Sequence, residues 1–144
     1  MFIVMLLLFV IACVGVLGYT HTLNLNWSNG GTNPLNTTVT VTGTAEFNTQ
    51  TTAPISATTL MEMAFLYANL QSIYVLSPFA LTLNTNATDG TGGNSIPLAA
   101  NQPFIWYLAS GVTCPFTNNV TKFYWVNASG TNVPTVQVRV LHNA

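Results

Sequence analysis

From Thr20 onward, apolar and polar residues alternate with a period of two, the side-chain spacing of a half-buried β-strand. Leu23, Leu25 and Trp27 alternate with Thr22, Asn24 and Asn26, and Asn29-Gly30-Gly31 follows as a turn. Val39, Val41, Ala45 and Phe47 then alternate with Thr38, Thr40, Thr42 and Thr44. This predicts a single second strand with a threonine ladder on its open face, because Thr suits a pleated backbone and hydrogen-bonds water. Near the end, Val136, Val138 and Val140 face one way while Gln137 and Arg139 face the other.

Further strands are predicted around 58–65, 72–77, 79–85, 95–98, 104–108 and 121–126, with a short helical turn at 67–71. Ser77-Pro78, Asp89-Gly90, Gly92-Gly93 and Ser129-Gly130 supply turn chemistry between them. Eight or nine short strands without long helices predict an all-β fold, a single antiparallel β-sandwich over residues 20–144, jelly-roll-like or immunoglobulin-like. With 3 Trp, 5 Tyr and 8 Phe the chain can fill a core, which separates it from disordered sequences of similar polarity.

Residues 1–19 have a different character. Phe2 to Gly18 is apolar throughout except for Cys13. As a helix this run would reach roughly 25 Å, just short of the ~30 Å hydrocarbon core of a bilayer. It reads as a secretory signal, with Val16-Leu17-Gly18 before a cleavage point at Tyr19, although the first cation in the chain is Lys122. It also reads as a lipoprotein signal with Cys13 as the candidate lipidation site, or as a retained helix that anchors in membrane through 2–18 or packs among subunits.

Charge limits the function classes. The chain carries 2 Lys+Arg and 3 Asp+Glu in 144 residues, against about a quarter of residues charged in an ordinary domain. A net charge of −1 without a basic cluster predicts no nucleic-acid partner. A surface hydrated by Thr and Asn lacks the electrostatic barrier to self-association. It also lacks the usual raw material of active sites.

The inventory for chemistry is correspondingly thin. A nucleophilic triad would have to draw on His21, His142 and Asp89, and no sequence frame holds them. Glu46 and Glu62 could in principle form a carboxylate pair for glycosidic cleavage but read as solvated strand residues. No window clusters metal ligands, and Gly90-Thr91-Gly92-Gly93 lacks the Lys and the strand-to-helix context of a phosphate loop. Cys114 reads as a small buried residue. The expectation is a chain that is no enzyme and has no catalytic residues, metal or cofactor.

Two binding signals remain. Trp106-Tyr107 and Tyr124-Trp125 are adjacent aromatics on strands read as neighbours. One of each pair should face outward, forming a shelf for a partner subunit or a glycan. Five N-x-[ST] sequons, at Asn26, Asn36, Asn86, Asn119 and Asn127, are candidate glycosylation sites in an exported setting.

The last third also carries a longer pattern. Leu83-Asn84-Thr85-Asn86 precedes Ile96-Pro97-Leu98-Ala99-Ala100-Asn101-Gln102-Pro103-Phe104-Ile105-Trp106. Pro115-Phe116-Thr117, Asn119-Val120-Thr121, Val126-Asn127-Ala128-Ser129-Gly130-Thr131 and Val136-Gln137-Val138-Arg139-Val140-Leu141 continue it. This series resembles small structural proteins of tailed bacteriophages over about Trp27 to Leu141, most closely after Leu81. Asn119 stands where that pattern has Asp, His142-Asn143 replaces an acidic end, and the apolar leader is an addition. The resemblance implies a β-sandwich located in the virion, a head-decorating or tail-associated protein that acts through contacts with other protein subunits. Two other readings are an extracellular pilin-like filament or membrane-anchored surface subunit, and a secreted carbohydrate-binding module using Trp106 or Trp125.

Overall fold

The computed structural model describes residues 18–27 and 35–144. The expected apolar helix with Cys13 and the turn at 29–31 lie outside them. Among the described residues there are ten strands: β1 (Tyr19–Trp27), β2 (Leu35–Gly43), β3 (Ala45–Thr52), β4 (Ala57–Phe65), β5 (Leu70–Leu76), β6 (Leu81–Thr85), β7 (Ser95–Leu98), β8 (Phe104–Tyr107), β9 (Val120–Asn127) and β10 (Thr135–His142). The expected helical turn is a single 3₁₀ turn at Tyr67–Asn69.

Strands β3 to β10 form two packed antiparallel sheets, ordered β3-β10-β5-β8 and β4-β9-β6-β7. The pairing is nested: β3 with β10, β4 with β9, β5 with β8 and β6 with β7. The contacts β10–β5 and β9–β6 then close the two sheets. A ribbon of nested antiparallel pairs folds over on itself and buries one face of each half.

That buried face follows the pleat. Val136, Val138 and Val140 of β10 and Ile73 and Val75 of β5 meet Met63 and Phe65 of β4, Leu81 and Leu83 of β6, and Phe123 and Trp125 of β9. Each such side chain contributes about 1.5–3 kcal/mol on leaving water. Phe65, Phe116, Phe123 and Trp125 form a chain of ring contacts with centroids 5.7–6.1 Å apart. Most of these contacts are edge-to-face, the arrangement favoured by the ring quadrupole.

The strand expected to run unbroken through 38–47 is divided. β2 ends at Gly43, and β3 begins at Ala45 after a bend at Thr44, whose N–H donates to the His142 carbonyl at 3.1 Å. The alternation continues through the bend and so conceals it. Gly43 is required by close approach: a Cβ there would stand 2.8 Å from Leu141 Cγ and 2.9 Å from the His142 carbonyl oxygen. The bend carries the chain from the edge of one sheet onto that sheet's outer face, where β1 and β2 form a separate two-stranded hairpin paired in continuous register from Tyr19↔Gly43 to Trp27↔Leu35.

Asn127 closes the opposite end of the sandwich. Its buried amide nitrogen donates towards the carbonyls of Ala53, Pro54 and Asn132 at 2.8–3.0 Å, and its Oδ1 accepts from Ser129 N–H. One side chain thereby ties the β3–β4 crossover to the β9–β10 loop.

Candidate functional site

The hairpin covers only part of the sheet beneath it. Register places two rows of side chains on that outer face. The first is Glu46, Leu141, Ser72 and Tyr107, and the second is Asn48, Arg139, Tyr74 and Ile105. The first row is roofed by the hairpin base: Leu141 is buried and Ser72 is 3% exposed. The second row stays open, with Arg139 on the surface and Ile105 40% exposed.

His21 holds the roof down. Its Nε2 lies 2.9 Å from Glu46 Oε1 and its Nδ1 2.8 Å from Ser72 Oγ. A carboxylate only accepts, so Nε2 carries the proton towards Glu46. In the neutral ring Nδ1 then accepts the Ser72 hydroxyl proton. Glu46 is therefore half-buried and bonded, which corrects its reading as a solvated strand residue. Glu62 is exposed and lies 3.9 Å from Lys122, a weak surface pair.

Serine, histidine and carboxylate are also the parts of a nucleophilic triad. Here Ser72 sits in the middle of β5 with β10 on one side and β8 on the other, so its backbone groups belong to the ladder. Its hydroxyl lies under the imidazole with almost no exposure. All three residues also border the groove that opens beside β1. The other residues considered for a triad lie elsewhere. His142 stacks on Phe47 at 5.6 Å, and Asp89 is exposed in a turn where Oδ1 accepts from Thr91 N–H at 2.9 Å. That bond holds the Asp89 carboxyl below the usual aspartate range.

Beyond His21 lies a groove of about 460 Å³ between β1 and the open row. Thr20 to Leu25 of β1 form one wall, Tyr74, Ile105, Gln137 and Arg139 form the floor, and Glu46, Ser72 and Ile73 also border it. Among the described residues none of β2 borders it, and the groove follows the edge of β1 away from β2. Leu25, 44% exposed, overhangs the floor. Sequence reasoning missed this site. Its one local signal was the single His on the apolar face of β1.

The expected aromatic shelf does not form. Trp106 and Trp125 both point into the core, and Trp106 Nε1 donates to the Val112 carbonyl at 2.9 Å. Tyr107 and Tyr124 face outward and are half-buried. β8 and β9 belong to different sheets, so these tyrosines lie on opposite outer faces of the sandwich. The pleat sorts each pair as expected but turns the indole inward, where its larger apolar area is removed from water.

Among the sequons, Asn26, Asn36 and Asn119 are exposed. Asn86 is half-buried with its amide nitrogen bonded to the Asn119 carbonyl. Asn127 is corrected: its buried amide nitrogen is committed to three carbonyls, and a glycan there is incompatible with the packing. Cys114 is a free, half-buried thiol against the core, and Cys13 lies outside the described residues. Among the described residues, no group of three His, Cys, Asp or Glu is placed to hold a metal ion.

These features define an all-β antiparallel sandwich with a clasped hairpin and an open groove on one outer face. No protein-family model, no curated protein and no solved structure matches the chain.

Proposed function

We propose that this chain is a non-enzymatic structural protein of a virion, a small jelly-roll subunit that decorates a phage head or joins its tail and acts through contacts with other subunits. The observation that carries the reading is the nested strand order, β3·β10, β4·β9, β5·β8 and β6·β7. Jelly rolls of eight strands in two packed sheets build viral shells and lectins. The lectin branch would use an exposed aromatic platform, whereas Trp106 and Trp125 lie in the core. The shell branch needs surfaces that neighbours can cover, and exposed strand edges normally carry Lys, Pro or bulges against unwanted pairing. β1, β2 and β3 are eight or nine residues long, contain no Lys, Arg or Pro, and carry one carboxylate, Glu46, which His21 engages. In this reading the Ser72–His21–Glu46 chain is a structural clasp.

The second reading is a pilin-like filament or membrane-anchored surface subunit, favoured by the apolar run from Phe2 to Gly18. Density-gradient sedimentation of particles from a producing culture, with intact mass of the recovered chain, separates the two. A virion component bands with DNA-filled particles at fixed stoichiometry. Recovery only from membranes or from DNA-free filaments retaining residues 2–18 overturns the virion reading in favour of the second.

A further inference from the structure

The groove beside β1 joins three features. A nine-residue strand pairs on one side only, because β1 meets β2 and no other strand among the described residues. Its backbone N–H and C=O groups on the side away from β2 run along a groove whose floor includes Tyr74 and Ile105 beside Gln137 and Arg139, and whose β1 wall includes Leu25. One of the chain's two cations, Arg139, stands on that floor without an ion-pair partner among the described residues.

We infer that this groove receives an extended segment of a neighbouring protein subunit, which adds as a third strand to the free edge of β1 and places an acidic side chain against Arg139. The inference rests on the assembly reading and names the surface it uses. A two-stranded sheet is marginal in water, and a third strand over an apolar face gives the hairpin the pairing it lacks. Main-chain hydrogen bonds supply affinity in strand addition, while alternate side chains supply specificity. Residues of the incoming strand that face inward meet Tyr74 and Ile105. An acidic residue among them is selected by the unpaired guanidinium. The partner is a different chain: of this chain's own acids, Glu46 is held by His21, Glu62 lies beside Lys122 on β4, and Asp89 is folded into a turn.

The test uses the full chain and two blocked octapeptides of alternating Val and Thr, one with a central Glu and one with Lys in its place. Binding is followed by calorimetry and by amide hydrogen exchange. The Glu peptide is expected to bind at least about tenfold more tightly than the Lys peptide and to protect the amides of β1 from Thr20 to Leu25. Arg139→Gln, on the surface and outside the core, should abolish that preference while leaving weak binding. Ile105→Lys should abolish binding of both peptides while the unfolding midpoint stays close to that of the parent.

Binding without protection of β1, equal binding of the two peptides, or indifference to both substitutions overturns the inference, as does failure of the Glu peptide to bind. Concentration-dependent self-association that buries β1 also overturns it, by showing that a second copy is the occupant. In any of these cases, banding with particles would leave the assembly reading standing.

Discussion

His21 Nδ1 lies 2.8 Å from Ser72 Oγ, a contact between residues 51 apart that fastens the N-terminal hairpin to the central strand β5. Together with the Glu46 bond it is the main polar attachment of the hairpin base, and it sets where the roof ends and the open groove begins.

Replacing His21 by Ala should therefore loosen the hairpin selectively. It removes two hydrogen bonds and leaves the Ser72 hydroxyl buried without its partner, a cost of about 1–3 kcal/mol. Urea denaturation measures the loss. Hydrogen exchange should show faster amides in β1 and β2 while those of β5, β9 and β10 keep their protection.

Asn127 should be among the least replaceable polar residues. Asn127→Ala leaves the carbonyls of Ala53, Pro54 and Asn132 without their shared donor and should cost about 3 kcal/mol. Asn127→Asp should cost more, because it sets a buried carboxyl against three carbonyl oxygens. Thermal unfolding of the two variants gives the order.

The two core tryptophans should respond differently to Phe. Trp106→Phe breaks the bond to Val112 as well as removing volume. Trp125 Nε1 is buried without a partner among the described residues, so Trp125→Phe removes a group that already costs free energy. Trp125→Phe should be milder by about 1 kcal/mol in denaturant titrations.

Gly93→Ala should destabilise strongly, by about 2 kcal/mol or more. A Cβ at Gly93 would fall 2.1 Å from the Thr85 carbonyl oxygen, a backbone atom that cannot swing aside. Gly130→Ala, where nothing lies within 4 Å, should stay within about 0.5 kcal/mol of the parent. Paired melting curves decide it.

Asp89 gives a small acid dependence of known sign. Its carboxyl is held below the usual range by the Thr91 N–H, so the folded pKa lies under the unfolded one. Its stabilisation is complete above the unfolded value and disappears as pH falls through the folded value. The stability difference between the parent and Asp89→Asn should be constant from pH 5 to 8 and shrink below about pH 4. Denaturation at pH 6 and pH 2.5 measures it.

Much of the fold was legible because the pleat is local. The alternation located β4 through β10 to within a few residues, and it put one residue of each aromatic pair inside. It failed at Gly43-Thr44, where a bend between β2 and β3 leaves the period of two intact. Glu46 and Ser72 looked unremarkable for a related reason. Each sits on its strand where a solvent-facing residue belongs, and only the hairpin folded over them makes that face an interior.

The sequence by itself determined the strand class, the alternation that puts Val136, Val138 and Val140 in the core, and a surface nearly free of charge. Only the tertiary structure decided which strands are neighbours. It joined His21 to Glu46 and Ser72, committed Asn127 to its three carbonyls, and left Arg139 in the open beside β1. The division has one physical cause. Which way a side chain points is settled by its own backbone within two residues. What it meets depends on loop closures spanning tens of residues, and these form only when the whole chain buries its apolar faces together.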